Sequence, residues 1–363
     1  MKSTPRENLL KTLRRQGFEK VPVDCYCFCP SQIEAAKKRF GCDDIWTCLL
    51  EHFDVPYRGA GIALNATYTD PRKLYPREVL PETRVDFTAH GVAHSFSSED
   101  CMHMTRMHHP LRGEDVTESE IEQYPFPVIA TTQEALIQQT KDTHAQGFAM
   151  MGCMACTVWE TSWYIRSMED LMIDMLTDNP RATLLLDRVT EQSCQMARMF
   201  ARAGVDILQT GDDIGMQFTP MMDPNLWRKW IKPRLAKVLR AAREINPTAL
   251  NYYHSDGYVI PYIEDLIEIG VDILQPVQPE CMDFADIHKM FGDRLSFWST
   301  IGTQHVLPFG TPEEVRAMVK RNLDICGEQG GIVIGPTHIV EPEVPWENLE
   351  AMRLAAKEYT GNK

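Results

Sequence analysis

Short apolar runs rich in β-branched and aromatic residues recur along this chain, separated by longer stretches in which apolar positions repeat at the helical period. The runs fall at 21–28, 148–153, 205–210, 249–253, 271–276, 295–301 and 331–335. Each has the length of a buried strand. The stretches between them carry helix start signals. Ser31 with Glu34, and Thr131 with Glu134, have the spacing of capping boxes. Asp223 before Pro224 and Thr311 before Pro312 place a capping side chain ahead of a proline at the first helical position. After Thr311, the residues Val315, Met318, Val319 and Leu323 keep the helical spacing until Gly327 stops it. Strand and crossover helix in alternation predict a parallel α/β protein.

An internal echo narrows the architecture. AGVDILQTGDD (203–213) and IGVDILQPVQP (269–279) share GVDILQ, each at a helix-to-strand joint. Repeated βα units point to a (β/α)8 TIM barrel more than to an open sheet, and neither GxGxxG nor a P-loop occurs to argue otherwise. Residues 54–125 break the rhythm: FTAHGVAHSFSSEDCMHMTRMHHPLRG alternates polar and apolar positions. It predicts a β-rich insertion within one domain spanning 1–363.

Composition bounds the function. The 363 residues permit two domains by length, but α/β barrels reach this size as one unit. With 44% hydrophobic and 24% charged residues, the chain can bury a large core. A formal charge of −14 speaks against nucleic acid and anionic membranes, which both ask for cations. No apolar run approaches the ~20 residues of a membrane span, and MKSTPRENLL lacks a signal-peptide core, so a cytoplasmic location is expected. The 11 cysteines then read mainly as reduced, buried small hydrophobes. The Cys153–Cys156 pair has no second CxxC to complete a zinc knuckle.

In a barrel, chemistry collects where strands emerge at their C-terminal ends. The polar clusters at those places are Gly211-Asp212-Asp213, His254-Ser255-Asp256, Gln275 with Gln278, Gly302-Thr303-Gln304-His305 and Gly335-Pro336-Thr337-His338. For any one of them alone, a helix cap or strand–loop hydrogen bonding is the better reading. Five on one rim predict a shared active site.

Four stretches then carry a resemblance: GDDIGMQFTPMMDPNLWRKWIKPRL (211–235), YHSDGYVIPYIEDLIEIGVDILQPVQ (253–278), WSTIGTQHVLPFGTPEEV (298–315) and GGIVIGPTHIVEPEVPWENL (330–349). From about residue 6 to 358 the chain resembles the uroporphyrinogen decarboxylase superfamily, which implies a distorted (β/α)8 barrel. Within that superfamily, true decarboxylases grip substrate propionates with arginines just after the first strand. Here that segment is CYCFCPSQIEAAKKRF, with no arginine before Arg39. A site for several carboxylates needs several cations, so porphyrinogen decarboxylation is disfavoured.

The other branch resembled is that of corrinoid-dependent methyltransferases. The resemblance implies a zinc held by a His-x-Cys pair after one strand and a Cys after the last. The matching positions here are His254, Asp256 and His338, with both thiolates replaced. Two neutral imidazoles and one carboxylate with an open position still form a catalytic zinc pattern, though other divalent metals fit too. Such a set leaves the metal near +1, a harder Lewis acid than a dithiolate site, and therefore suits an oxygen leaving group. The implied reaction is O-demethylation of a methoxylated, aromatic compound by the Co(I) corrinoid of a small partner protein. No DxHxxG motif is present, so the corrinoid (a cobalamin) must arrive on that partner.

Asp213, Tyr253 and Glu341 are the candidates for an acid or orienting role. Trp159, Trp163, Tyr252 and Trp298 are candidates for substrate walls, with barrel packing the competing reading. Gln278 is a further substrate-binding candidate, and His305 a candidate for substrate contact or for orienting a ligand. Cys281 is an alternative ligand should Asp256 turn away, and the Cys101–His109 tract, with His103, His108 and His109, is a second soft-metal candidate. Methyl transfer to a thiol or tetrahydrofolate, decarboxylation, and a non-catalytic corrinoid-binding barrel stay open, as does a homodimer.

Overall fold

The computed structural model describes residues 3–25, 27–82, 84–96 and 105–360. Seven strands form one parallel sheet: β1 (Tyr57–Gly61), β2 (Ala149–Ala155), β3 (Ile207–Gly211), β4 (Leu250–His254), β5 (Ile273–Gln275), β6 (Ser296–Trp298) and β7 (Ile332–Val333). They neighbour one another in chain order from β1 to β7. Helices cross over between them on the outside, including Pro180–Ala203, Lys232–Arg243, Ile260–Glu268 and Pro312–Cys326. Strands covered on both faces must be apolar throughout. Ile207, Leu208, Ile273, Leu274, Phe297, Trp298, Ile332 and Val333 are accordingly all buried. The sheet curls into an α/β barrel of the TIM type.

The sheet closes in a distorted way. The run at 21–28 was expected as a full strand but joins the wall only by isolated parallel bridges, Val23 to Ile334 and Phe28 to Val340. On its other side, among the described residues, no ladder pairs it with β1. Side chains bridge that seam instead. Asp24 accepts hydrogen bonds from the Tyr57 hydroxyl (2.9 Å) and the Trp298 indole (2.7 Å). Trp298 packs edge-on against both Tyr57 and Tyr252. Burial pushes the Asp24 carboxyl up to about 6, because its two donors only partly replace lost water.

Two expectations are corrected here. Strand β1 lies inside the 54–125 segment that the sequence marks as an insertion, so the barrel wall begins there. The β-rich part proper is a three-stranded antiparallel sheet of Val85–Phe87, Ala93–Phe96 and Thr105–His108. It is tied to the barrel by Arg166, which donates to the carbonyls of Leu111 (2.6 Å) and Gly113 (2.8 Å). The cap at Thr311 forms as expected, with Glu314 completing the box. The boxes at Ser31 and Thr131 do not. Cys29 precedes Pro30 at the start of that helix, and Thr132 rather than Thr131 caps the helix Gln133–Ala145. Among the described cysteines, Cys42 and Cys48 are paired and eight are free thiols. Among the described residues no helix is long and apolar enough to cross a membrane.

Candidate metal centre

Strand register assembles the site. Gly211 of β3 lies beside His254 of β4, and His254 beside Gln275 of β5, all at C-terminal strand ends. Gly211 has no room for a side chain, since a Cβ there would sit 2.6 Å from the Cβ of His254. The loops that follow meet as closely. Gly257 has φ +83°, and a Cβ on it would lie 2.7 Å from the Gly215 carbonyl carbon. This contact brings the loop after β3 onto the loop after β4, so that Asp213 accepts the Asp256 N–H at 2.8 Å.

His254, Asp256 and His338 converge at this rim, with their candidate ligand atoms all within 4.8 Å of one another. His338 Nε2 lies 3.4 Å from Asp256 Oδ2, and His254 Nε2 lies 3.6 Å from Asp213 Oδ1. Gln275 turns its Oε1 to Nδ1 of His254. An amide oxygen can only accept, so this contact puts the proton on Nδ1 and leaves the Nε2 lone pair facing the cluster. That is the second support a ligating imidazole ordinarily has.

The fit to a cation rests on one atom. Asp256 Oδ1 is buried with no hydrogen-bond partner among the described residues. An orphaned carboxylate oxygen is costly unless something positive meets it. Two imidazole nitrogens and one Asp256 carboxylate oxygen make a donor set a divalent zinc-like ion would satisfy. Without a cation, burial drives the Asp256 carboxyl up to about 7, with the neighbouring Asp213 and Glu160 adding to the rise and His254 opposing it. For His254 burial lowers the pKa, but Asp256, Asp213, Gln275 and Glu160 together outweigh it and the net shift is upward.

Two acidic groups deepen this field. Asp212, fully buried, accepts from the N–H groups of Val158 and Glu160 and so caps the helix Trp159–Arg166. Burial, reinforced by Glu160, raises it to about 8 despite those N–H donors. Glu160 receives the Tyr164 hydroxyl at 2.6 Å and is raised by burial and by Asp213.

The remaining candidates are distributed as follows. Asp213 is at the cluster. Tyr253 is fully buried and its hydroxyl donates to the Asp212 carbonyl at 3.1 Å, which makes it an orienting group for that loop. Glu341 lies against Cys27, whose thiol its charge helps to raise, and its carbonyl receives the Gln32 amide. Trp159, Tyr252 and Trp298 are buried in barrel packing, and Trp163 is half-buried against Tyr164. Gln278 accepts the Gly257 N–H and thereby holds the Asp256 loop.

Cys281 is near enough to feel Asp256, but burial raises its thiol to about 11 and it stands outside the triad. His305 as a ligand-orienting group is corrected: it is exposed at the start of the helix Val306–Phe309, on a surface groove with Phe309, Met318 and Arg321. Of the Cys101–His109 tract, Cys101 and His103 lie outside the described residues. His108 is engaged by Glu78 and Ser95, and His109 by the Tyr164 carbonyl, so both are structural.

Sequence reasoning missed Glu160 and the role of Gln275. Glu160 sits four residues beyond Cys156 in TVWETSWYI, an apolar-looking stretch just past a strand end. Its lone acid on an otherwise apolar helix start was the available signal. Gln275 was visible only as part of a cluster, because its partnership with His254 depends on strand register.

Over residues 89–359 the sequence matches the family described as uroporphyrinogen decarboxylase (URO-D). No curated protein matches it. Among solved structures, a methyltransferase from Methanosarcina mazei is similar at a TM-score of 0.64 and 17% identity, covering 98% of this chain and 99% of that one. A psychrophilic family 10 endo-β-1,4-xylanase (TM-score 0.38, 12% identity, 61% of this chain and 80% of that one) and a D-psicose 3-epimerase (TM-score 0.38, 10% identity, 66% and 83%) are more distant.

Proposed function

Because the chain belongs to the uroporphyrinogen decarboxylase family, we propose that it is a zinc-dependent methyltransferase of that family, acting on a methyl ether. The methyl acceptor in this reading is the Co(I) corrinoid of a small partner protein. The observation that carries the reading is the convergence of His254, Asp256 and His338 at the strand ends, with one oxygen of the buried Asp256 carboxylate left without a hydrogen-bond partner among the described residues. The methyltransferase name of the Methanosarcina mazei neighbour supports it. The acidic surroundings speak against a polycarboxylate substrate for decarboxylation.

In the reaction, the methyl carbon leaves the ether oxygen and bonds to cobalt. Cobalt gives up two electrons, passing from Co(I) to Co(III), and the oxygen departs with the electron pair of the broken bond. The hydroxyl product then needs a proton. Zinc, when bound, supplies Lewis acidity toward the leaving oxygen. His254, Asp256 and His338 would hold the metal; Gln275 fixes the His254 tautomer; Asp213 and Gln278 hold the backbone of the Asp256 loop. Glu160, whose carboxyl is raised by burial and by Asp213, is the candidate for delivering that proton. The hairpin tip after β3 exposes Met216 and Phe218 beside this rim, an apolar surface for the substrate or its carrier.

The test combines metal and turnover. Protein purified without chelator should hold close to one zinc per chain, and His254→Ala and His338→Ala should each lose most of it. With a reduced corrinoid protein and a methoxylated aromatic compound, the holoprotein should give methyl-Co(III) and the free phenol. Asp256→Cys should slow this, because an added thiolate softens the metal; a 10²-fold loss would correspond to about 2.7 kcal/mol. Ready methylation of a thiol or pterin from methylcobalamin, with every methoxy compound inert, would overturn the direction proposed.

A further inference from the structure

We propose that the cavity at the foot of the seam, on the barrel face opposite the metal centre, binds a small apolar molecule bearing one acid group.

The missing ladder makes room for it. The 21–28 run and β1 meet through the Asp24 and Tyr57 side chains, and below that contact a hollow of about 380 Å³ opens between the segments leading into them. One side is Val21, Pro22 and Val23, which run into Asp24; the other is Phe53 and Pro56, which run into Tyr57. Tyr57 begins β1, so this is the N-terminal end of the strands, whereas His254 closes β4 at the C-terminal end. All five wall residues are buried, and the floor they make is apolar. A volume of roughly 300–1,000 Å³ with apolar walls and a few charged groups is what small-molecule sites ordinarily have.

The rim supplies the charge. Lys20, Arg353 and Lys357 border the hollow against Glu19 and Asp54. Cations thus outnumber acids there three to two, in a chain whose formal charge is −14. Both acids are engaged: Glu19 accepts the Ser3 hydroxyl at 2.6 Å and its N–H at 3.3 Å, and Asp54 meets Lys20 at 4.0 Å. The Arg353 guanidinium is held by Glu350, which also takes the His52 ring. That leaves Lys357. It is exposed, in the last turn of the helix Trp346–Glu358, and forms no ion pair among the described residues. An anionic head at this rim gains that lysine. A cationic head finds its acids already taken, and a neutral one leaves the lysine unused. The class that covers the floor and pairs the rim is an apolar body with a single carboxylate. Such a molecule would touch both sides of the joint that Asp24 and Tyr57 span, and so brace it.

The experiment uses octanoate, 1-octanol and octylamine, which share one alkyl chain and differ in the head group. Titrated calorimetrically into the full chain near neutral pH, octanoate should bind at one site and about tenfold more tightly than octylamine, the difference one partly screened charge contact makes. 1-Octanol should fall between them. Lys357→Glu changes only an exposed rim residue; it should erase or invert the order of octanoate and octylamine, and leave 1-octanol within about twofold. Val21→Trp fills the hollow and should abolish binding of all three, with thermal melts checking that the variant folds. None of these readings needs metal or turnover, so the proposal is tested apart from the reaction above. No octanoate binding up to about 1 mM, equal affinity for octanoate and octylamine, an unchanged order in Lys357→Glu, or full octanoate binding in folded Val21→Trp would each overturn it.

Discussion

Gln275→Met is the most informative single perturbation of the metal centre, because it leaves every candidate ligand in place. The Gln275 side chain lies opposite His254 in the β4–β5 register and directs its Oε1 to Nδ1 of that ring. Methionine has nearly the same length and volume but accepts only weakly. Two outcomes then compete for His254. The ring can keep its proton on Nδ1 and leave a buried N–H unsatisfied, at a cost of about 1–3 kcal/mol. Alternatively it can move the proton to Nε2, which removes the lone pair the metal needs. Either way the zinc complex is penalised relative to the metal-free protein. Loss of such an outer partner ordinarily costs about 10–100-fold in metal affinity, or roughly 1.4–2.7 kcal/mol. The metal-free fold should suffer much less. The Gln275 Nε2 is itself buried without a partner among the described residues, so the substitution removes one unsatisfied group as it creates another. Competition against a chromophoric chelator measures the affinity, and thermal melts of the metal-free protein measure the fold. Unchanged zinc affinity, within about twofold, would refute the tautomer reasoning and with it the orientation assigned to His254.

Three further outcomes follow from the same geometry. Asp256 titrates near 7 and His254 is raised, so protons compete with the metal below neutrality; zinc affinity should fall at least about tenfold from pH ~8 to ~6 in a chelator titration. Asp212 keeps its proton to about 8 when folded, whereas the unfolded chain releases it near 3.9. The folded state therefore binds more protons in that window, and stability from this group declines as pH rises. Melts of the metal-free protein should show this decline from pH ~6 to ~8, and Asp212→Asn should flatten it by roughly 2 kcal/mol. Finally, Gly257→Ala combines a positive φ with a clash against Gly215, and should lower stability by roughly 2–4 kcal/mol with loss of zinc, as read by denaturant unfolding and metal analysis.

Much of the barrel was legible because its strands are short, apolar and flanked by helix caps. Six of the seven apolar runs hold β2 to β7, since a strand covered on both faces announces itself by composition alone. Strand β1, YRGAG, was hidden: two glycines and an arginine give it no apolar run, and it is a strand because it pairs with β2. The run at 21–28 failed in the opposite sense. It is apolar enough to be a strand, but its neighbour across the seam is reached through Asp24 and not through a ladder. The triad of His254, Asp256 and His338 was legible from resemblance and from position at strand ends. Glu160 and Gln275 were not, because what they do depends on distances across strands that local pattern does not encode. His305 shares the strand-end signature of the others and yet is exposed, at the start of the helix Val306–Phe309.

The seam at Asp24 also has a consequence for how such a barrel can change its bore. Six strand pairings fix their spacing through continuous backbone ladders, and none can widen without re-registering a whole strand. The 21–28 run meets the wall past β7 by isolated bridges, and the joint on its side toward β1 is spanned by one carboxyl held between a phenol and an indole. Its width is set by the reach of the Asp24, Tyr57 and Trp298 side chains. The Asp24 and Tyr57 side chains lie outside all but one edge of those ladders, so this joint is the place where the wall can change width without re-registering a strand.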